Sequence, residues 1–188
     1  MSVIADIRLT PLVFEMPKER ARGDAREWGH RRSMTLVELT TDDGVTGIGE
    51  AFGGPGGAAV AFFEAIREQF IGTDPLAFPH VAARVFAGHY HMRAQGQLGA
   101  CVSGIGTAAL DAAGKILGVP AYQLLGGAIV DRVPVYASGG FFSDDPQGSF
   151  RQQLELAAEH PYTAHKIKCG ANPRDDVARI RLAREIIG

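Results

Sequence analysis

The sequence predicts an α+β domain over residues 1–130 followed by the opening of an α/β domain over residues 131–188. Three observations carry that reading. An Asp-Gly hairpin flanked by strand-like runs stands near the start, apolar-periodic helices fill the middle, and after Gly127 the pattern turns to strand–helix–strand–helix. A small antiparallel sheet followed by helices is an α+β arrangement, whereas the later rhythm belongs to a parallel sheet or barrel.

Residues 2–15 alternate loosely between apolar and polar, with Val3, Ile4, Ile7, Leu9, Leu12 and Phe14, and predict a first strand. Residues 16–32 hold Arg, Glu, Gly and Asp with little periodicity and read as a surface loop. Runs 34–41 and 45–51 flank Asp42-Asp43-Gly44, whose Asp-Gly step accepts the positive φ of a tight turn, so they predict an antiparallel pair. A Gly-rich loop at 53–57 leads into a helix over 58–71. A second helix is expected over 75–87, with Asp74 as N-cap and Pro75 at its first position. A third, over 103–117, carries Ile105, Ala109, Ala112, Ala113 and Ile116 on one broad face and ends at Gly118. Pro120 opens a short helix that ends at Gly126-Gly127. Then come a short buried strand over 133–138, a helix near 146–160, a second strand over 164–169 and a last helix over 174–187.

Length bounds the second domain. A complete (β/α)₈ barrel takes about 250 residues, or about 30 per unit. Residues 131–188 therefore amount to about two units, too few to close a barrel or cover both sheet faces, so this domain is expected to be incomplete, a truncated α/β segment.

Composition excludes several function classes. Apolar residues make up 46% and charged residues 21%, an ordinary balance for a globular chain. A net charge of -2 gives no basis for nucleic acid or an anionic membrane as partner. The first residues carry charges where a signal peptide needs an apolar core, and no apolar run is read as reaching the roughly 20 residues that span a bilayer. Cys101 and Cys169 are too few for a disulfide scaffold and lack metal-ligand spacing, so a cytoplasmic location with reduced thiols is expected.

Of the 19 basic residues only Lys18, Lys115, Lys166 and Lys168 are lysines, and the last two stand two apart on a predicted strand. Residues at that spacing share a face, so Lys166 and Lys168 project together while His165, Ile167 and Cys169 face the other way. Spacing alone also fits the solvated face of an ordinary strand. On the inner face of a barrel, however, two close ammonium groups disfavour each other's charge and desolvation adds to the effect, which yields an amine able to act as a base near neutral pH.

Several stretches in order resemble the mandelate racemase and muconate lactonizing enzyme family of the enolase superfamily. The hairpin over 40–52 resembles that of its capping domain, and residues 103–127 resemble its helix and connector into the barrel. Val133–Ser138 resembles the first barrel strand, and Lys166-Ile167-Lys168 the Lys-x-Lys at the end of the second. The resemblance implies an α+β capping domain over 1–130 and, over 131–188, the first two units of an incomplete (β/α)₈ barrel. It further implies abstraction of a proton α to a substrate carboxylate, with magnesium stabilising the enediolate. Lys168 is then the base, and Lys166 its partner, polarising the carboxylate. The family's acidic metal ligands come from the third, fourth and fifth barrel strands, beyond Gly188, so no residue is assigned as a metal ligand. Trp28, His30 and Arg31 lie in the loop that in the family folds over the barrel mouth, which makes Trp28 and His30 candidate substrate contacts. Ser138, at the end of the first barrel strand, stands where such enzymes place a site residue, and a hydroxyl there can equally satisfy local backbone.

Other motifs are given structural readings. Gly104-Ile105-Gly106-Thr107-Ala108-Ala109 fits the Gly-x-Gly-x-x-Ala dinucleotide fingerprint, yet no strand precedes it and no acid follows at about 20 residues, so close backbone packing is expected. His89, Tyr90 and His91 lack further ligands for a zinc site. Asp111 and Lys115 are spaced for an ion pair on one helix face.

Two functional readings follow. In the first, the chain is the N-terminal part of an enzyme acting on a small carboxylate, an acid sugar by preference, as a dehydratase or racemase, in a homo-oligomer. In the second, it is a truncated, non-catalytic fragment without the metal ligands, whose open parallel edge invites self-association.

Overall fold

A computed structural model describes residues 2–25, 28–52, 57–92, 95–143, 145 and 148–188. The chain divides into two compact units, Met1–Phe14 with Ser33–Ile129, and Glu15–Arg32 with Val130–Gly188.

The first unit is built on a three-stranded sheet of order β1-β4-β5, where β1 is Ile4–Glu15, β4 is Arg31–Thr41 and β5 is Thr46–Ala51. β4 and β5 pair antiparallel from Thr35↔Ala51 to Thr40↔Thr46. The turn forms as its sequence predicts. Gly44 takes φ 85°, the left-handed region in which a Cβ is penalised, and Thr41 closes the loop by donating its N–H to the Val45 carbonyl at 2.9 Å. Strict alternation sends Val37, Leu39 and Thr41 of β4, and Gly47, Gly49 and Ala51 of β5, to the buried face.

Helices α1 (Gly57–Ile66), α2 (Phe78–Gly88), α3 (Gly96–Leu117) and the single turn α4 (Ala121–Leu124) complete this unit. Asp74 accepts the Leu76 N–H at 2.8 Å and Pro75 follows it, as expected, but the segment they open is a 3₁₀ turn, and α2 starts only at Phe78. Helix α3 begins seven residues before the predicted 103. Leu98, Cys101 and Val102 are buried in the core, and that burial outweighs the poor helix propensity of Gly96 and Gly99. The extension also corrects the reading of apolar runs: at 22 residues α3 is long and apolar enough, by length and composition, to cross a membrane. Half of that window is buried inside the protein, which is how the central helix of a packed core presents itself. Gly118 ends α3 in the left-handed conformation at φ 67°.

The seam between α3 and β5 is set by small residues. A Cβ on Gly49 would lie 2.1 Å from the Gly104 carbonyl oxygen, and one on Gly47 would lie 2.0 Å from that of Ala108. A Cβ on Gly106 would meet the Phe78 ring at 2.6 Å. The Gly-x-Gly-x-x-Ala stretch is therefore a contact surface for a strand and a ring. The Asp111–Lys115 pair, joined at 2.7 Å, clamps the same strand: Asp111 accepts the Ile48 N–H at 2.8 Å and Lys115 donates to the Thr46 carbonyl at 2.7 Å.

In the second unit, β6 (Ala137–Ser138) and β7 (His165–Lys166) pair parallel, and α5 (Gly148–Ala158) and α6 (Pro173–Ile187) follow them. Both strands are shorter than predicted. Val133, Val135 and Tyr136 are more than half exposed, so the expected buried strand over 133–138 keeps only its last two residues in the ladder. A core of Phe150, Leu154 and Ala183, joined by Ile167, Leu182, Ile186 and Ile187, lies between strand and helices. The loop read over 16–32 carries a 3₁₀ turn (Lys18–Arg20) and a two-residue antiparallel pair, β2 (Arg22–Gly23) with β3 (Trp28–Gly29). The Gly-rich segment 53–56 and the expected helix start at 146 lie outside the described residues.

Candidate functional site

The candidate site is the C-terminal end of the parallel pair β6 and β7. Ile167 packs among the side chains of α5 and α6, so its neighbours Lys166 and Lys168 stand on the opposite face of the strand. Ser138 is in register with Lys166, which puts both on one face of the pair, and both are exposed. Lys168 is half-buried, with its Nζ 5.9 Å from the centre of the Phe141 ring. The sequence reading expected both amines to be desolvated; among the described residues only Lys168 is partly so. His165 shares the helix-side face with Ile167, as expected, and its Nδ1 is buried without a hydrogen-bond partner among the described residues.

Strand pairing continues past the two formal ladder residues. Gly139 donates to the Lys166 carbonyl at 3.0 Å, and Lys168 donates to the Gly140 carbonyl at 3.2 Å. Gly140 is held at φ 61°, and a Cβ there would lie 2.8 Å from Ile167 Cγ2, so only glycine fits the turn that leaves β6. Two helix side chains fix this turn. Gln153 of α5 accepts the Phe141 N–H at 2.9 Å and donates to the Phe141 carbonyl at 3.4 Å. Arg179 of α6 donates through Nε to the Lys168 carbonyl at 3.1 Å and through Nη2 to the Gly140 carbonyl at 2.5 Å. Its guanidinium lies 4.1 Å from the Phe142 ring centre and 3.7 Å from that of Phe150. Burial draws its pKa below the ordinary value, against the opposing pull of Cys169 and Asp176.

The 15–32 segment reaches the same loop. Gly23 and Phe142 exchange both backbone hydrogen bonds at 3.0 Å, an isolated antiparallel bridge. Trp28 pairs with Gly23 through the backbone, and the half-buried His30 accepts the Met16 N–H through its carbonyl. Among the described residues no hydrogen bond or ring contact joins the His30 side chain to Lys166 or Lys168. The structure therefore brings Ser138, Lys166 and Lys168 together and leaves His30 on the adjoining hairpin. Ser138 and Lys166 also line a cleft of about 210 Å³ with Arg22, Phe141 and Gln153, and Lys168 is not in its wall. Sequence reasoning missed Arg179 and Gln153; the available signal for the first was a cation three, four and seven residues before the apolar Leu182, Ala183 and Ile186.

Among the described residues no group of three His, Cys, Asp or Glu side chains is placed to hold a metal ion. His89 Nδ1 lies 2.9 Å from the Val85 carbonyl at the end of α2, a capping contact. Cys101 is buried, which raises its thiol pKa to about 11, whereas Cys169 is exposed.

Comparison with known proteins now decides the family. Residues 13–126 match the sequence profile of the mandelate racemase / muconate lactonizing enzyme N-terminal domain. The chain belongs to the mandelate racemase / muconate lactonizing enzyme family. Among curated relatives within the enolase superfamily, the D-galactarolactone cycloisomerase of Agrobacterium fabrum is 34% identical over 84% of this chain and 42% of its own length. The D-xylonate dehydratase of Haloferax volcanii is 34% identical over 70% of this chain and 32% of its own. A mandelate racemase/muconate lactonizing enzyme-like protein from Rubrobacter xylanophilus superposes with TM-score 0.85 at 28% identity, over 99% of this chain and 50% of that one. A Pseudomonas fluorescens enolase structure with bound magnesium, potassium and tartrate gives TM-score 0.76 at 25% identity, over 99% and 50%. The chain thus spans about a third to a half of the length of the first curated relatives it matches. The matched residues 13–126, with mixed α+β content, are the N-terminal domain of this racemase and lactonizing-enzyme family.

Proposed function

We propose that this chain supplies the N-terminal domain and the base-bearing strand pair of an enzyme that removes the α-proton of a small carboxylate, an acid sugar by preference. The observation that carries the proposal is the placement of Lys166 and Lys168 on one face at the C-terminal ends of parallel strands, the end of a βα unit where active sites are built. The relatives named a cycloisomerase and a dehydratase support this reaction class.

Lys168 Nζ takes the α-proton on its lone pair, and the electron pair left behind on carbon delocalises into the substrate carboxylate. Lys166, on the same face, offers an ammonium to that growing negative charge. Ser138, in register with Lys166, can hold a substrate hydroxyl or carboxylate oxygen by hydrogen bond. Trp28 and His30, on the hairpin bridged to Phe142, are the substrate-selecting contacts of this proposal. Magnesium in the complete enzyme would stabilise the enediolate; the described residues of this chain do not form its ligand set, so none is assigned.

The test is α-proton exchange in D₂O with Lys168→Ala in the full-length protein. Exchange should fall by at least about 10²-fold, the lower range for loss of a positioned general base, while magnesium binding by calorimetry persists. Retained exchange removes Lys168 from the role. A second reading, that these 188 residues alone do not turn substrate over, is favoured by the missing acidic cluster among the described residues. Magnesium-dependent exchange by the 188-residue chain would exclude it.

A further inference from the structure

We propose that Arg179 is a positioning residue, whose guanidinium ties the Gly140 and Lys168 carbonyls together and so fixes the direction from which the Lys168 amine meets substrate. The inference rests on the proposed role of Lys168 and adds to it a residue two helical turns into α6 that nothing in the reaction itself requires.

Four observations converge on it. Arg179 is only 7% exposed, although a buried guanidinium is costly to desolvate. It makes no ion pair with a carboxylate among the described residues, so ring faces and carbonyl dipoles are its direct partners, with Asp176 acting only at longer range. Its planar fork reaches one carbonyl from each strand end, with a separate N–H directed at each. Finally, the Gly140 carbonyl accepts from both Arg179 and the Lys168 N–H, so the guanidinium closes a ring of bonds through the backbone of Lys168 itself. Merely filling the space between Phe142 and Phe150 would be done better by an apolar side chain. Retaining an arginine there fits a demand for direction at the strand ends.

The experiment uses the full-length protein and two readouts. In α-proton exchange, Arg179→Met should lower kcat about a hundredfold, the scale of a misplaced catalytic group, with KM within about twofold. Arg179→Lys should not recover the rate, because an ammonium lacks the fixed planar fork that aims one N–H at each carbonyl, and free guanidinium ion should restore part of kcat to Arg179→Ala. Unchanged kcat in Arg179→Met, or full kcat in Arg179→Lys, overturns the inference. The second readout needs no turnover and covers a variant that folds poorly. In Arg179→Lys, amide hydrogen exchange at Lys168 should quicken at least about tenfold while α3 is unaffected; equal protection at Lys168 overturns the inference. Lys168→Ala is assayed in parallel. If it keeps full exchange, the base assignment fails, and the Lys168 amide readout alone then decides whether Arg179 orders this strand end.

Discussion

Asp111 shows how much a single side chain can do when its position is right. Burial would raise its pKa, but the Lys115 ammonium and the Ile48 N–H outweigh that and hold the carboxyl below its ordinary value. A lowered folded-state value means that the carboxylate stabilises the fold fully above the ordinary carboxyl pKa of about 4 and loses that effect as pH falls through the folded value. Asp111→Ala should therefore cost about 1 kcal/mol at neutral pH, a figure kept small because the side chain is 37% exposed and screened by water. The difference in thermal midpoint between wild type and variant should shrink on acidification below about pH 4; a gap that does not change with pH would remove the ion pair from the explanation. The pair itself was legible in the sequence from its i,i+4 spacing. Its strand partners, Ile48 and Thr46, lie more than 60 residues away in the chain, and only folding brings them within reach. Arg179 is the sharper case. It is one of four arginines on α6; Arg174, Arg181 and Arg184 share the exposed face, whereas Arg179 stands at helical spacing from Leu182, Ala183 and Ile186 of the packed face, and what its guanidinium bonds there could not be read from spacing.

At the scale of elements, the β5–α3 seam is the most constrained feature. Gly47 and Gly49 of β5 face Gly104, Ala108 and Ala112 of α3, and the two backbones approach too closely for a Cβ on the strand. Gly49→Ala should separate them and cost about 3 kcal/mol, the upper range for overpacking a filled core. For a chain of this size that lowers the thermal midpoint by roughly 10 °C, readable by calorimetry. A change within about 1 °C would mean that the seam can relax. The glycines themselves were visible as a motif, and the missing strand before them argued against a nucleotide-binding turn. What the motif touches was not visible, because Phe78 and Ala51 come from other elements. Strand ends show the opposite error. Periodicity predicts six-residue strands over 133–138 and 164–169, and the ladder keeps two residues of each, because a strand needs neighbours as well as apolar side chains.

At the scale of the molecule, the second unit leaves apolar surface and sheet edge in water. Val133 is 73% exposed and Val135 63%, beside a sheet of two strands. Exposed apolar runs next to unpaired strand edges drive association. The 188-residue chain should accordingly scatter light as a species heavier than 20.0 kDa, or as a distribution that grows with concentration. A clean, stable monomer would show that these surfaces are tolerated. The same exposure bears on the site, since the inner face of a closed barrel would desolvate Lys166, and in this chain that lysine is exposed.

The sequence by itself determined the local and the periodic: the turn at Gly44, the stop at Gly118, the cap at Asp74, and the common face of Lys166 and Lys168. Each follows from backbone sterics, short-range hydrogen bonds or the two-residue period of a strand, all set within a few residues. The tertiary structure decided everything that needs distant partners. It started α3 at Gly96 by burying Leu98 and Cys101, bridged Gly23 to Phe142, and placed Arg179 between two phenylalanine rings over the ends of two strands. Such contacts join residues far apart in the chain, and their free energy comes from desolvation and packing, which no local pattern encodes.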